Sequence, residues 1–301
     1  MFNPIRLVSL ASIAWALSGP AFAEPLRYED IPVYEPAEPV RLEADLLNTW
    51  EAPEARQGTA ADEDAVYAIV NHVIARYDRE TGELEERWVG PRKGLIRHIN
   101  SCFVDGDDLV CANSNHPEVP MASSIEVFDK HTLEHRSSHS LGLMDEGSLV
   151  WFDQVSDGWI AGFAHYNDET GLPYKTNAYA GVYSFDSEWR KTGGWMLPNA
   201  LVELMAPQAA SGGEIGPDGL LYLMGHDRKE IYVVAKPSMG PKLIHVATID
   251  IGAEGQAFAF DTDGSRHLVA ISRPNGEIRE FELPEIPQSA LSDEDTTLFK
   301  K

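Results

Sequence analysis

From about residue 62 the chain alternates short apolar runs with polar breaks: AVYAIV (Ala65–Val70), LVCAN, SLVWF, WIAGFAHY, LLYLMG, IYVVA, AFAF and HLVAI. The runs are rich in Val, Ile, Tyr, Phe and Trp and are bounded by turn residues, the pattern of β-strands. Asp105-Gly106, Asp157-Gly158, Asp218-Gly219, Asp263-Gly264 and Asn275-Gly276 are dipeptides of the hairpin type. Helical periodicity is scarce, and only Asn199–Met205 reads as a short helical turn.

The strands repeat. One strand of each group ends in an aromatic residue and an acid, or a variant of that pair: Tyr77-Asp78, Phe128-Asp129, Phe185-Asp186, Val234-Ala235 and Phe281-Glu282. The spacings between successive pairs are 51, 57, 49 and 47 residues. A period of about 40–50 residues with four strands in each unit is the blade of a β-propeller. Five units fit between about Gln57 and Leu283, so the expected fold is all-β, a five-bladed β-propeller. The last unit has room for three strands, and VRLEADLLNTW (residues 40–50) is placed to supply the fourth and close the ring. A six-bladed ring, with more structure before residue 59, and an irregular β-sandwich are the alternatives. The expected organisation is a leader over 1–23, an N-terminal segment over 24–57 with the closing strand, the propeller over 58–284, and a polar, loose tail over 285–301.

Charge narrows the partners. The chain of 301 residues carries 48 acidic and 24 basic residues, a net charge of −24. A phosphate backbone needs a basic face, so nucleic acid is excluded. Arg6, the apolar run Leu7–Leu17 and the small-x-small site Ala21-Phe22-Ala23 form the pattern of a secretory leader, too short to span a bilayer. No later apolar stretch reaches 18 residues, so no membrane span is expected once the leader is cleaved, and the expected location is periplasmic or secreted. Export permits disulfides. Cys102 and Cys111 flank the turn Asp105–Asp108 symmetrically and would face each other in a hairpin, which predicts a Cys102–Cys111 bridge; the alternative is two buried thiols.

The repeat also locates polar residues. In propellers the innermost strand of each blade begins on the same face as the loop joining the second and third strands. Of the 10 histidines, His72, His116, His165 and His226 fall in those loops and His98 at an inner-strand start. Asn100, Asn115, Tyr166, Gln256 and Arg273 fall in the same places, as do Glu214 and Glu254. The set predicts a polar funnel at one mouth of the ring, where propellers bind ligands. Capping of blade ends by Asn and His side chains is the competing reading. As catalytic candidates, His98, His165, His226 and Glu214 offer a general base; as substrate-binding candidates, Asn100, Asn115, His116, Tyr166, Gln256 and Arg273 offer hydrogen bonds. Glu214 and Glu254 are possible ligands for a divalent metal, calcium or zinc by ligand type, though no local ligand spacing supports either. His226-Asp227 is adjacent in sequence, which on a strand would point the two side chains to opposite faces and prevent a dyad. GxSxG, P-loop and HExxH motifs are missing, and Gly212-Gly213 reads as a close-packed inner strand rather than a phosphate cradle.

The segments RHINSC, ANSNHPEVPMASSIEVFD, GFAHYN, SGGEIGPDGLLYLMGHD and EGQAFAFD resemble those of exported bacterial propellers labelled cycloisomerase. That group is distantly similar to the carboxy-muconate lactonising propellers, and the likeness runs from about Asp62 to Glu282. Gluconolactonase-type propellers are a related comparison and hold a divalent metal with Glu, Asn and Asp side chains, but a full set of those ligands does not align here. The resemblance implies an exported enzyme acting on a small polar organic molecule, a cycloisomerase or lactonase-type hydrolase opening or closing a lactone. The alternative is a non-catalytic periplasmic propeller that binds a ligand or a protein. The expected partner is a small-molecule ligand in the central funnel.

Overall fold

The computed structural model describes residues 37–292 and 294–300; the leader expected at 1–23 lies outside the described residues. Five sheets, each built from four antiparallel strands, form a five-bladed β-propeller. Blade 1 runs Gly58–Ala61, Ala65–Val70, Val73–Asp78 and Leu84–Val89; blade 2 runs His98–Asp105, Asp108–Ser114, Ala122–Asp129 and His135–Leu143. Blade 3 runs Ser148–Val155, Gly158–Ala164, Gly181–Asp186 and Lys191–Met196; blade 4 runs Gly212–Ile215, Leu221–Met224, Glu230–Pro237 and Ile244–Asp250. Blade 5 has Ala259–Phe260, His267–Ser272 and Glu277–Glu282, and its outer strand is Asp45–Glu51, antiparallel to Glu277–Glu282. The closing strand is thus where the sequence places it, but the segment 40–50 is two strands rather than one: Val40–Glu43 pairs in parallel with Ile244–Asp250 and adds an outer strand to blade 4.

The aromatic-acid pairs have a common cause. In blades 1 to 3 the aromatic residue is buried between sheets, and the Asp carboxylate accepts backbone N–H groups of the turn that follows. Thr81 N–H donates to Asp78 at 2.7 Å, Thr132 N–H to Asp129 at 2.8 Å and Glu188 N–H to Asp186 at 2.9 Å. An Asx-type bond of this kind closes the turn between third and fourth strands. Val234-Ala235 breaks the pattern because that strand continues to Pro237, where the C-terminal segment covers it: Thr296–Thr297 pairs with Lys236–Pro237.

Every seam between consecutive blades carries a hydrogen bond next to the axis. Ile99 N–H donates to Asn71 O at 2.7 Å between blades 1 and 2. Ser101 Oγ donates to Val150 O at 2.9 Å between blades 2 and 3. Ile215 N–H donates to Asp153 Oδ2 at 2.7 Å, and Phe260 N–H to Glu214 Oε2 at 2.8 Å, between blades 3 and 4 and blades 4 and 5. Ala257 N–H donates to Gln57 O at 3.1 Å and completes the circle. Close packing accompanies the bonds. A Cβ on Gly213 would lie 2.4 Å from the Trp151 ring, and one on Gly212 would lie 2.5 Å from Gln256 O, so the glycine pair lets two blades approach.

Cys102 and Cys111 sit opposite each other in the hairpin of blade 2 and form a disulfide, both buried. The tail is not loose. Phe299 is buried against Trp195, and its N–H donates to Gly219 O at 2.8 Å. Among the described residues no helix is long and apolar enough to cross a membrane.

Candidate functional site

The two ends of the central channel differ. The mouth is formed by inner-strand starts and the turns after second strands; the base is formed by the turns after inner strands. At the mouth, Asn71 occupies a tight turn with φ of 49°, a conformation Asn tolerates better than most residues. Its Oδ1 accepts from Gln57 Nε2 at 3.2 Å and meets His98 Nδ1 at 2.8 Å, which makes that nitrogen the donor. The His98 ring lies 4.8 Å from His116, and His116 lies 4.9 Å from Tyr166, centroid to centroid. These five residues form one line across blades 1 to 3. Asn100 sits in a β-bulge, between the paired residues Ile99 and Cys102, a device that re-aims side chains.

Many polar atoms here lack a partner. They are Gln57 Oε1, Thr59 Oγ1, Asn100 Oδ1, His116 Nδ1, Ser148 Oγ and both ring nitrogens of His165. His165 is fully buried; the carbonyls of Asp145 and Glu146 lie toward its ring, but neither reaches hydrogen-bond geometry. Burial, with the His116 charge second, holds the His98 imidazole far below its usual value. Burial also lowers His116 against the pull of Asp168, and lowers His165 with help from Lys175. All three rings are therefore neutral near pH 7. None of them hydrogen-bonds to a carboxylate, and Asp168 is itself tied to Thr170, whose N–H donates to it at 2.9 Å.

The other sequence-predicted residues fall elsewhere. Asn115 closes its own loop, with Nδ2 donating to Pro120 O at 3.0 Å and Oδ1 accepting from Ala122 N–H at 2.9 Å; this is capping. Gln256 is buried beside Gly212 at the seam of blades 4 and 5. His226 and Asp227 lie in a turn, not on a strand, so the opposite-face argument does not apply: His226 Nδ1 donates to Asp227 Oδ1 at 2.7 Å. Arg273 donates to His226 Nε2 at 3.2 Å and to Asp227 at 2.7 Å, so both ring nitrogens are taken. Glu254 accepts from Ser272 Oγ at 2.8 Å and pairs with Lys229 at 3.0 Å.

Glu214 is not at the mouth. Third in a four-residue inner strand, it lines a cavity of about 340 Å³ with the turns 216–219 and 261–265, at the base. Burial and the adjacent Asp153 push its carboxyl up to about 8. Glu214 and Glu254 are therefore apart, and among the described residues neither belongs to a group able to hold a metal. The one such group, Asp261, His267 and Glu280, is filled by a guanidinium: Arg79 Nη2 lies 2.5 Å from Asp261 and 2.6 Å from Glu280. Sequence reasoning missed Asn71 as the hub of the mouth and Asp153 with Lys300 at the base. The tight Asn71-His72 turn was a signal for the first; nothing local signals the other two.

No family model matches the chain, and no curated protein matches it. Among solved structures, a chain of the mitotic checkpoint complex is similar at 10% identity and a TM-score of 0.45, covering 92% of this chain and 100% of that one. The WD40 β-propeller domain of Doa1 is similar at 9% identity and a TM-score of 0.41, with 83% of this chain and 99% of that one covered. Hydrazine synthase of Kuenenia stuttgartiensis is similar at 13% identity and a TM-score of 0.42, covering 74% and 69%. Neither a cycloisomerase nor a gluconolactonase label finds support among these likenesses.

Proposed function

We propose that this chain is an exported binding propeller that takes a small, uncharged, hydrogen-bonding molecule at the mouth between blades 1 and 3. The observation that carries the reading is the set of unpartnered buried atoms on Gln57, Thr59, Asn100, His116, Ser148 and His165. Buried polar groups without partners are costly, and such a cluster at an opening is accounted for by a ligand that supplies the missing bonds. Neutral imidazoles, amides and hydroxyls match hydroxyl and carbonyl groups rather than ions. The ring faces of His98, His116 and Tyr166 suit the flat side of a sugar. A lactone-acting enzyme is less well supported, because the carboxyl with a raised affinity for protons, Glu214, lies at the other end of the channel. The disulfide supports an oxidising location, periplasmic or extracellular.

Calorimetric titration with neutral sugars and sugar lactones, followed by chemical analysis of the ligand, tests this. We expect saturable binding that is lost in Asn100→Ala and His165→Leu, with the ligand recovered unchanged. Turnover of a lactone, or binding that survives both substitutions, would sink the proposal.

A further inference from the structure

The base of the channel holds an occupant of the chain's own. The ammonium of Lys300 reaches Asp153 Oδ1 at 2.8 Å and helps line the base cavity with Glu214. Other carboxylates lining that cavity are engaged: Asp218 with Arg266 at 3.0 Å, and Asp261 with Arg79. The segment delivering Lys300 is seated by specific contacts rather than resting on the surface. Phe299 fills a pocket beside Trp195, and Thr296–Thr297 extends blade 4. Gly219, at φ of 77°, leaves room for the chain to pass: a Cβ there would lie 2.3 Å from Lys300 O. Glu214 accepts the backbone N–H of Phe260, and Asp153 those of Ile215 and Gln154, so Asp153 is the carboxylate that takes the ammonium as a further donor.

We propose that the base of the channel is a second ligand site, one for a primary ammonium group, with the Lys300 side chain as its tethered occupant. A cavity of about 340 Å³ leaves space for an aliphatic stem around that position. A primary ammonium offers three N–H donors and one positive charge, which a guanidinium-sized or quaternary group does not reproduce. Glu214, pushed up to about 8, holds its proton near pH 7, so the site balances a single positive charge rather than a divalent ion. A tethered ligand acts at an effective concentration in the ~mM range, so a free amine enters only when the lysine is removed or outcompeted. This site is independent of the mouth.

The test uses the full-length protein and Lys300→Ala, with cadaverine as a free amine and N-acetyl-lysine amide in place of a peptide lysine. Thermal midpoints and calorimetric affinities are measured with each, and with tetramethylammonium as a charged control lacking N–H groups. We expect Lys300→Ala to melt earlier, to regain its midpoint saturably with one or both amines, and to bind them roughly tenfold or more tightly than the unaltered protein. The better of the two amines identifies the source of the ligand. Recovery is readable even if the variant is only marginally folded. Asp153→Asn added to Lys300→Ala abolishes the recovery. The proposal fails if neither amine binds or stabilises Lys300→Ala, or if tetramethylammonium does so equally.

Discussion

At the base of the channel each buried carboxyl has donors: Asp153 takes Ile215 N–H and the Lys300 ammonium, and Glu214 takes Phe260 N–H. At the mouth, less than a blade's height away along the same inner strands, seven polar atoms have none. The residue types explain part of the contrast. Carboxyls at the base bridge one inner strand to the next and so hold the ring together. His116 and His165 follow second strands, and their unpartnered ring nitrogens are left for something else. At the base the chain's own Lys300 completes the pairing, whereas the incomplete pairing at the mouth marks an end kept open for a guest.

Three measurements break or sharpen that contrast. Titration acts on both ends at once and has the largest expected effect, with slopes up to about 1.4 kcal/mol per pH unit for each proton. Glu214 has a folded value raised above its unfolded one, to about 8, so its contribution is present in acid and is lost as pH climbs toward 8. His98, His116 and His165 have folded values depressed by burial, so their contribution is present above about 6.5 and is lost as pH falls. His245, also lowered by burial, adds to the histidine contribution. Above about pH 7.5 the histidines are neutral in both states, so the Glu214 contribution dominates and stability should decline as pH rises through about 8. Glu214→Gln, which keeps an acceptor for Phe260 N–H, should flatten that decline in denaturant titrations; an unchanged slope would refute the assignment.

Asp153→Leu comes next. It orphans Ile215 N–H and strands Lys300, and should destabilise the protein by about 3 kcal/mol in urea. The smallest effect has the opposite sign. His165→Leu removes two unpartnered ring nitrogens at nearly constant volume, and should stabilise the ligand-free protein by about 1 kcal/mol while weakening ligand binding. A loss of stability would mean that His165 is a structural residue after all.

The ring was legible in the sequence because its punctuation is chemical. An aromatic residue packs between blades and the following Asp closes a turn, and that pairing survives wherever a turn of the same kind is built, as at Phe128-Asp129 and Phe185-Asp186. The hairpin bridge was legible because Cys102 and Cys111 are equidistant from the turn at Asp105–Asp108. The site was half legible. His116, His165 and Tyr166 follow second strands and His98 opens an inner strand, positions in the repeat that share one mouth of the ring. Glu214 was misplaced because Gly212–Ile215 is four residues long, and a shift of two positions carries a side chain from one end of so short a strand to the other. Lys300 was illegible: its polar neighbourhood resembles a solvated tail, and only the cleft beside Trp195 and Gly219 gives it a place.

The outer strand of blade 5 has a consequence for how the molecule forms. Asp45–Glu51 finds its partner only when Glu277–Glu282 has been made, so one of the earliest strands to appear waits for one of the last. Contacts of such long sequence separation slow folding. Until closure, Leu46 and Leu47 sit on an unpaired strand whose backbone groups invite association with another chain. A molecule interrupted before residue 277 would carry that open edge permanently, and aggregation, rather than simple loss of activity, is the failure to expect from truncation at the C-terminal end.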